Sequence, residues 1–253
     1  MNELGKHWVL LRGLARESAH WGEFVPLLKD NFADASVNTL DLAGTGRFYQ
    51  QTSPCTIAAI TEQLRQQALE QGLLTRPITL CAVSLGAMVA WHWLKTYPQD
   101  CAGACLINTS FANISPFYQR LRWQNLHKVI TLLAQPDIAK REAAIVALVA
   151  NNREFYEKTS AAWTEIHRQR PISLTTRVKQ LYAASRYVSG EKPSQPILLV
   201  NAQADRLVSP ACSEAIQHHY GLNYRVHTWG GHDLTTDDPQ WVIAQLKEWV
   251  CEK

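Results

Sequence analysis

Short apolar runs alternate with helically spaced stretches along most of this chain, and that alternation restricts the fold more than any other feature. The apolar runs lie near 7–12, 36–41, 78–83, 102–108, 196–202 and 223–228. Helical spacing marks 20–31, 55–71, 85–97, 210–220 and 239–251, the last opened by Asp238-Pro239, an N-cap acid with proline at the first helical position. Strands separated by helices pair in parallel through crossovers, so the pattern predicts an α/β fold with a parallel sheet covered by helices. Between Asn108 and Pro193 the strand signal disappears. Residues from about 113 to 189 read as helical throughout, with Leu126, Val129, Ile130 and Leu133 at helical spacing, then Ala143, Val146, Ala147 and Val149, then Ala162, Ile166 and Gln169. The expected organisation is a core of 1–112 and 190–253, with a helical subdomain of 113–189 inserted after the fourth strand.

The third run leads straight into a serine. Ile78-Thr79-Leu80-Cys81-Ala82-Val83 precedes Ser84, and Leu85-Gly86-Ala87-Met88-Val89-Ala90 succeeds it at helical spacing. A strand, a sharp turn and a helix put the Ser84 hydroxyl at an apex, with small residues two positions to either side. This is the physical content of the nucleophile elbow, here A-x-S-x-G in place of G-x-S-x-G. The five-residue motif is weak alone and gains meaning from two later loops. Asp205 stands just past the strand Pro196–Ala202, and His232 stands on the glycine-rich loop Trp229-Gly230-Gly231-His232-Asp233 after the strand 223–228. The chain order is serine, acid, histidine.

On these residues the chain resembles an α/β-hydrolase-fold protein of the small serine esterase type. Three further segments carry the likeness. Val9-Leu10-Leu11-Arg12-Gly13-Leu14 is similar to the family's first-loop motif, Asp41-Leu42-Ala43-Gly44-Thr45-Gly46-Arg47 to its D-x-x-G-x-G-x loop, and Gly230-Gly231-His232 to its histidine loop. The resemblance implies an α/β-hydrolase fold with about six mostly parallel strands in the order 2-1-3-4-5-6. Only about six residues precede the first run, too few for the antiparallel hairpin that usually opens the fold. It also implies a helical lid in the central segment, where the alternative is a subdomain that only completes the core.

The chemistry implied is acyl transfer. Ser84 attacks an ester carbonyl, His232 takes its proton, and Asp205 holds the imidazole in the useful tautomer. The oxyanion donors implied are the backbone amides of Leu14 and Leu85. A small-molecule ester substrate and no cofactor are implied by the same likeness. Thioesterase, carbon–carbon hydrolase and lyase chemistry use the same triad, and some relatives with this fold only bind ligands.

Two departures stand out. Ala82 replaces the first glycine of the elbow, and Arg12 replaces the usual histidine before Gly13. Arg12 has three readings: buried and paired with an acid such as Asp41 or a helix carboxylate, lining the pocket to hold a substrate carboxylate, or facing solvent. Arg120, Arg122, Arg168, Arg170, Arg177 and Arg186 of the central segment read as a solvated face, or as inward groups favouring an acidic acyl chain. Phe111 and Tyr118 are the candidate pocket walls, chosen for nearness to the end of the fourth strand. Asp237 and Asp238 read as helix caps, and His218-His219 as an exposed helix end.

Composition enters by exclusion. A net charge of +3 on 253 residues, with no basic cluster interleaved with aromatics, argues against nucleic acid as partner. The first residues lack the apolar stretch of a secretory signal, and no run approaches the roughly 18 residues of a membrane span. The six cysteines are dispersed, without metal-ligand spacing. A cytoplasmic location with free thiols and no metal is expected; the oligomeric state is left open.

Overall fold

The structure is a computed structural model, and it describes residues 3–252 apart from 126, 127, 130, 133 and 134. Leu126, Ile130 and Leu133 of the expected central helix therefore lie outside the described residues. Six parallel strands form one sheet: β1 (His7–Leu11), β2 (Ser36–Leu40), β3 (Ile78–Val83), β4 (Cys101–Ile107), β5 (Ile197–Ala202) and β6 (Asn223–His227). Their spatial order is β2-β1-β3-β4-β5-β6.

The crossovers carry the helices. These are α1 (Phe24–Asn31), α2 (Ile57–Glu70) and α3 (Leu85–Thr96) in the first half. Among the described residues, the segment between β4 and β5 contains α4 (Phe117–Arg120), α5 (Ile138–Val149), α6 (Tyr156–Gln169) and α7 (Leu174–Arg186), broken by 3-10 turns rather than helical throughout. After β5 come α8 (Pro210–Tyr220), α9 (Leu234–Asp237) and α10 (Pro239–Cys251). No helix among the described residues is long and apolar enough to cross a membrane.

Strand side chains alternate between two cores, as the period of two requires. Val9, Leu11, Leu80, Ala82, Leu106 and Leu199 join α2, α3 and α8 on one face. Trp8, Leu10, Cys81, Val83, Cys105 and Val200 join α1 and α10 on the other. Both faces of the central strands are therefore dry, which is why they read as continuous apolar runs. A third, smaller core of Val146, Leu148, Val149, Ala150 and Trp163 holds α5 against α6.

Phe111 belongs to the first of these cores. It is fully buried, with its ring against Trp91 at 5.1 Å and Tyr187 at 5.8 Å. Tyr118 projects from the one-turn helix α4 and is exposed. Neither lines the cavity on which Ser84 stands, because nearness along the chain does not fix the direction of a side chain.

Candidate active site

The carboxyl ends of β3, β5 and β6 bring the three chemistry-bearing residues together. Ser84 follows the last residue of β3 and precedes the first residue of α3, with φ 55 and ψ −115. A non-glycine residue at positive φ costs on the order of 1–3 kcal/mol and persists only where its surroundings enforce it. The Ser84 amide donates to the Ile107 carbonyl at 2.8 Å, and Thr109 Oγ1 donates to the Ser84 carbonyl at 3.0 Å. Small neighbours leave room for the turn. A Cβ on Gly86 would stand 2.5 Å from the Arg12 carbonyl oxygen, and one on Gly13 would stand 3.2 Å from Ser84 Cβ. Ala82 sits fully buried within β3, its methyl in the first core, so the departure from glycine fills space rather than crowding the turn.

Asp205 is buried, and its carboxylate is fully engaged. Oδ1 accepts the amides of Leu207 at 2.7 Å and Val208 at 2.9 Å, while Oδ2 meets His232 Nδ1 at 2.7 Å. This pairing assigns the proton to Nδ1 and leaves Nε2 as the basic nitrogen. Burial pulls the His232 pKa down, but the charge of Asp205 and its hydrogen bond, then the charge of Asp233, outweigh it and raise the pKa above its ordinary value.

Three residues that hold this histidine carry no recognisable signal in the sequence. Asn108, at positive φ just past β4, donates from Nδ2 to the carbonyls of Gly231 at 3.2 Å and His232 at 2.9 Å, and its Oδ1 accepts the Ala202 amide at 2.8 Å. Asp237 is no helix cap. It accepts the amides of Gly231 at 2.6 Å, Asn151 at 2.7 Å and Asn152 at 2.8 Å, which fastens the histidine loop to the residues after α5. Asp238 does cap α10, accepting from Trp241 at 3.0 Å. Asp233, directly after His232, is the acid that Arg12 pairs with, in place of Asp41. Arg12 Nη1 reaches Asp233 Oδ1 and Thr235 Oγ1, each at 3.2 Å, and Nη2 bonds Asp233 Oδ2. The Arg12 guanidinium also stacks on Trp21 at 4.8 Å. Asp41 instead accepts the Ser18 amide at 2.7 Å and the Arg47 amide at 3.1 Å, closing its own loop.

Ser84 and His232 line one cavity of ≈ 260 Å³, together with Arg12, Leu14 and Leu85. The Leu85 amide is the first of α3, among those that a helix leaves without an internal acceptor. Apolar residues of α5 and α7, Ile145, Leu148 and Leu181, form much of the far wall. The arrangement provides a hydroxyl at a strained turn, an oriented base and a pocket beside them, the parts an acyl-transfer site needs.

Comparison with known proteins agrees with the fold. The sequence model of the alpha/beta hydrolase family matches residues 8–245. No curated protein matches the chain by sequence. Among solved structures, Cfl2 from Burkholderia cenocepacia superposes with a TM-score of 0.77 at 20% identity, covering 97% of this chain and 88% of that one. A thermophilic esterase from Thermogutta terrifontis gives 0.68 at 20% identity, covering 98% and 90%. A lipase-esterase related protein from Clostridium acetobutylicum gives 0.73 at 15% identity, covering 98% and 96%. At these identities the structures share the fold.

Proposed function

The chain belongs to the alpha/beta hydrolase family, and on that premise we propose that it is a serine hydrolase cleaving a small carboxylic ester through an acyl-enzyme. The observation that carries the reading is the buried Asp205–His232 hydrogen bond of 2.7 Å at a cavity wall shared with the strained Ser84. Ser84 Oγ attacks the carbonyl carbon as His232 Nε2 takes its proton. The tetrahedral oxyanion is held by the amides of Leu14 and Leu85. The intermediate collapses, and the proton on His232 leaves with the alcohol. Water then repeats the sequence on the acyl-enzyme, releasing the acid and restoring Ser84.

In this reading the helical segment 113–189 is a lid. Its support is that α5, α6 and α7 all contribute side chains to the cavity wall, the position from which a cover keeps water from reacting atoms. The esterase and lipase-esterase names among the structural neighbours support ester chemistry. Six free cysteines support a reducing, cytosolic setting.

A fluorophosphonate probe tests the proposal. A single adduct on Ser84, lost in Ser84→Ala together with hydrolysis of short p-nitrophenyl esters, is the expected result. Full activity in Ser84→Ala would refute the mechanism.

A further inference from the structure

Five arginines line the cavity, Arg12, Arg16, Arg120, Arg141 and Arg177, against two carboxylates, Glu142 and Asp233. The whole chain holds 25 Lys and Arg against 22 Asp and Glu, so twenty of each remain elsewhere. The entire formal excess of +3 therefore sits on the wall of one pocket. Charge scattered over a surface says little about ligands, but charge of one sign gathered on the low-dielectric wall of a cleft focuses its field on whatever enters.

Two of the five are engaged away from Glu142, as Arg141 Nη1 also is in donating to the Gln135 carbonyl at 3.0 Å. Arg12 is neutralised by Asp233, and Arg120 Nη1 donates to the Ser185 carbonyl at 2.8 Å. The other three converge from the loop after β1, from α5 and from α7. Arg16 Nη1 pairs with Glu142 Oε2 at 2.9 Å. The second Glu142 oxygen faces His167 Nδ1 at 3.4 Å. His167 Nε2 in turn receives Arg141 Nη2 at 2.8 Å and Arg177 Nη2 at 3.4 Å. A nitrogen that accepts from two guanidinium groups carries no proton, so His167 is neutral and adds no positive charge. Its pKa falls to about 4, through burial first, with Glu142 opposing and the neighbouring arginines assisting.

Three guanidinium groups thus share one carboxylate. Among the described residues Arg141 and Arg177 form no ion pair, and Arg141 Nε is buried with no hydrogen-bond partner. Burial, then the charge of Arg141, pull the Arg177 pKa below its ordinary value, which marks a cation held where it is poorly solvated. Apolar side chains of α3 and α5, Met88, Ile145 and Leu148, also line the cavity.

From this arrangement we infer that Arg16, Arg141 and Arg177 form a subsite for an oxyanion head, a carboxylate or a phosphate, carried on the substrate away from its scissile ester. The inference rests on the serine hydrolase reading and narrows its substrate to an ester joined through an apolar chain to an anionic group. A forked guanidinium suits both kinds of head, because each offers paired oxygens to parallel N–H donors.

Three series of methyl esters, matched in chain length, test it: alkanoates, monomethyl dicarboxylates and ω-phosphonoalkanoates. At the best length, kcat/KM for an anionic ester exceeds that for its neutral counterpart by about tenfold or more, the scale of one hydrogen bond to a charged group. That ratio falls by about tenfold in Arg141→Gln and in Arg177→Gln, and Arg177→Lys keeps more of it than Arg177→Gln. Added salt lowers it in the unaltered protein. The better of the two anionic series identifies the head group. A preference for neutral esters, or a ratio that both glutamine variants leave unchanged, overturns the subsite. If the variants fail to fold, the preference of the unaltered protein and its salt dependence decide. If no ester is turned over and Ser84 takes no fluorophosphonate label, the hydrolase reading falls. Calorimetric titration of the unaltered protein with adipate and with inorganic phosphate then tests the subsite alone, and binding of neither overturns it.

Discussion

Replacing Arg12 by methionine removes a charge from a pair that the fold has almost sealed from water. The Arg12 and Asp233 side chains are 3% and 4% exposed. Methionine keeps much of the stem that packs near Trp21 but offers no donor to Asp233. Among the described residues the carboxylate then keeps only the Thr235 hydroxyl at 3.0 Å. Breaking a buried pair by removing one partner costs about 3–5 kcal/mol, mostly because the other charge stays behind. With the stem retained, Arg12→Met should lose about 4 kcal/mol, which lowers the melting midpoint of a chain this size by roughly ten degrees.

The loss depends on pH with a definite sign. In the unaltered protein burial pushes the Asp233 pKa up, but the charge and hydrogen bond of Arg12 outweigh it and hold the carboxyl below its usual range. A depressed folded pKa contributes stability above the unfolded value, near 3.9, that is lost as pH falls through the folded value. Without Arg12 the burial effect is left to raise the pKa, so the penalty grows as pH climbs through the carboxylate range. The gap between the two proteins is therefore widest above the variant's raised value and narrows as pH falls through that value and then through the depressed one of the unaltered protein. Urea titrations at several pH values, read at constant m, measure it. Arg12→Met/Asp233→Leu removes both charges and should regain most of the loss. A single-variant cost under about 1 kcal/mol, or a double variant no more stable than the single, would refute this reasoning.

The same geometry sets four further outcomes. His232 must be neutral to act as base, so kcat/KM falls as pH drops through its raised pKa; the acid limb should lie above about pH 6.5, and Asp205→Asn should move it down. A limb at or below about 6.5 in the unaltered protein would count against the Asp205 and Asp233 contributions. Gly86→Ala drives a methyl against the backbone oxygens of Arg12 and Leu11 at 2.5 and 2.6 Å, and should cost about 2 kcal/mol in urea. Gly13→Ala meets Ser84 Cβ at 3.2 Å and should fold, but lose about tenfold in kcat as the neighbouring amide shifts. Ala82→Gly, which restores the commoner elbow residue, should lower stability by about 1 kcal/mol with kcat unchanged; a gain in urea midpoint contradicts the view of Ala82 as filler.

What the sequence discloses and what it conceals divide along chain separation. The strands are legible because β3, β4 and β5 are dry on both faces and so appear as unbroken apolar runs. Ser84 is legible because a strained strand-to-helix turn imposes small residues around it. The partner of Arg12 is not, since Asp233 lies 221 residues away and no local pattern marks it. Asn108 is no more legible, since its positive φ and its three bonds exist only once β5 and the histidine loop have docked. The arginine subsite is partly hidden for the same reason. Arg16, Arg141 and Arg177 come from separate elements, and of the three only Arg177 stands among the arginines whose sequence reading includes an inward group.

Asn108 also sets how the molecule would age. Its side-chain amide gives two hydrogens to the carbonyls of Gly231 and His232 and takes one from Ala202. Hydrolysis of that amide to a carboxylate would leave the last of these contacts intact and turn the other two from attraction to repulsion. One slow deamidation event would push the histidine loop away from the acid and leave a carboxylate buried against two carbonyls. The near-complete burial of Asn108 shields it from the water this chemistry requires. Any loss of activity by this route is thus paced by how often the loops around this asparagine open.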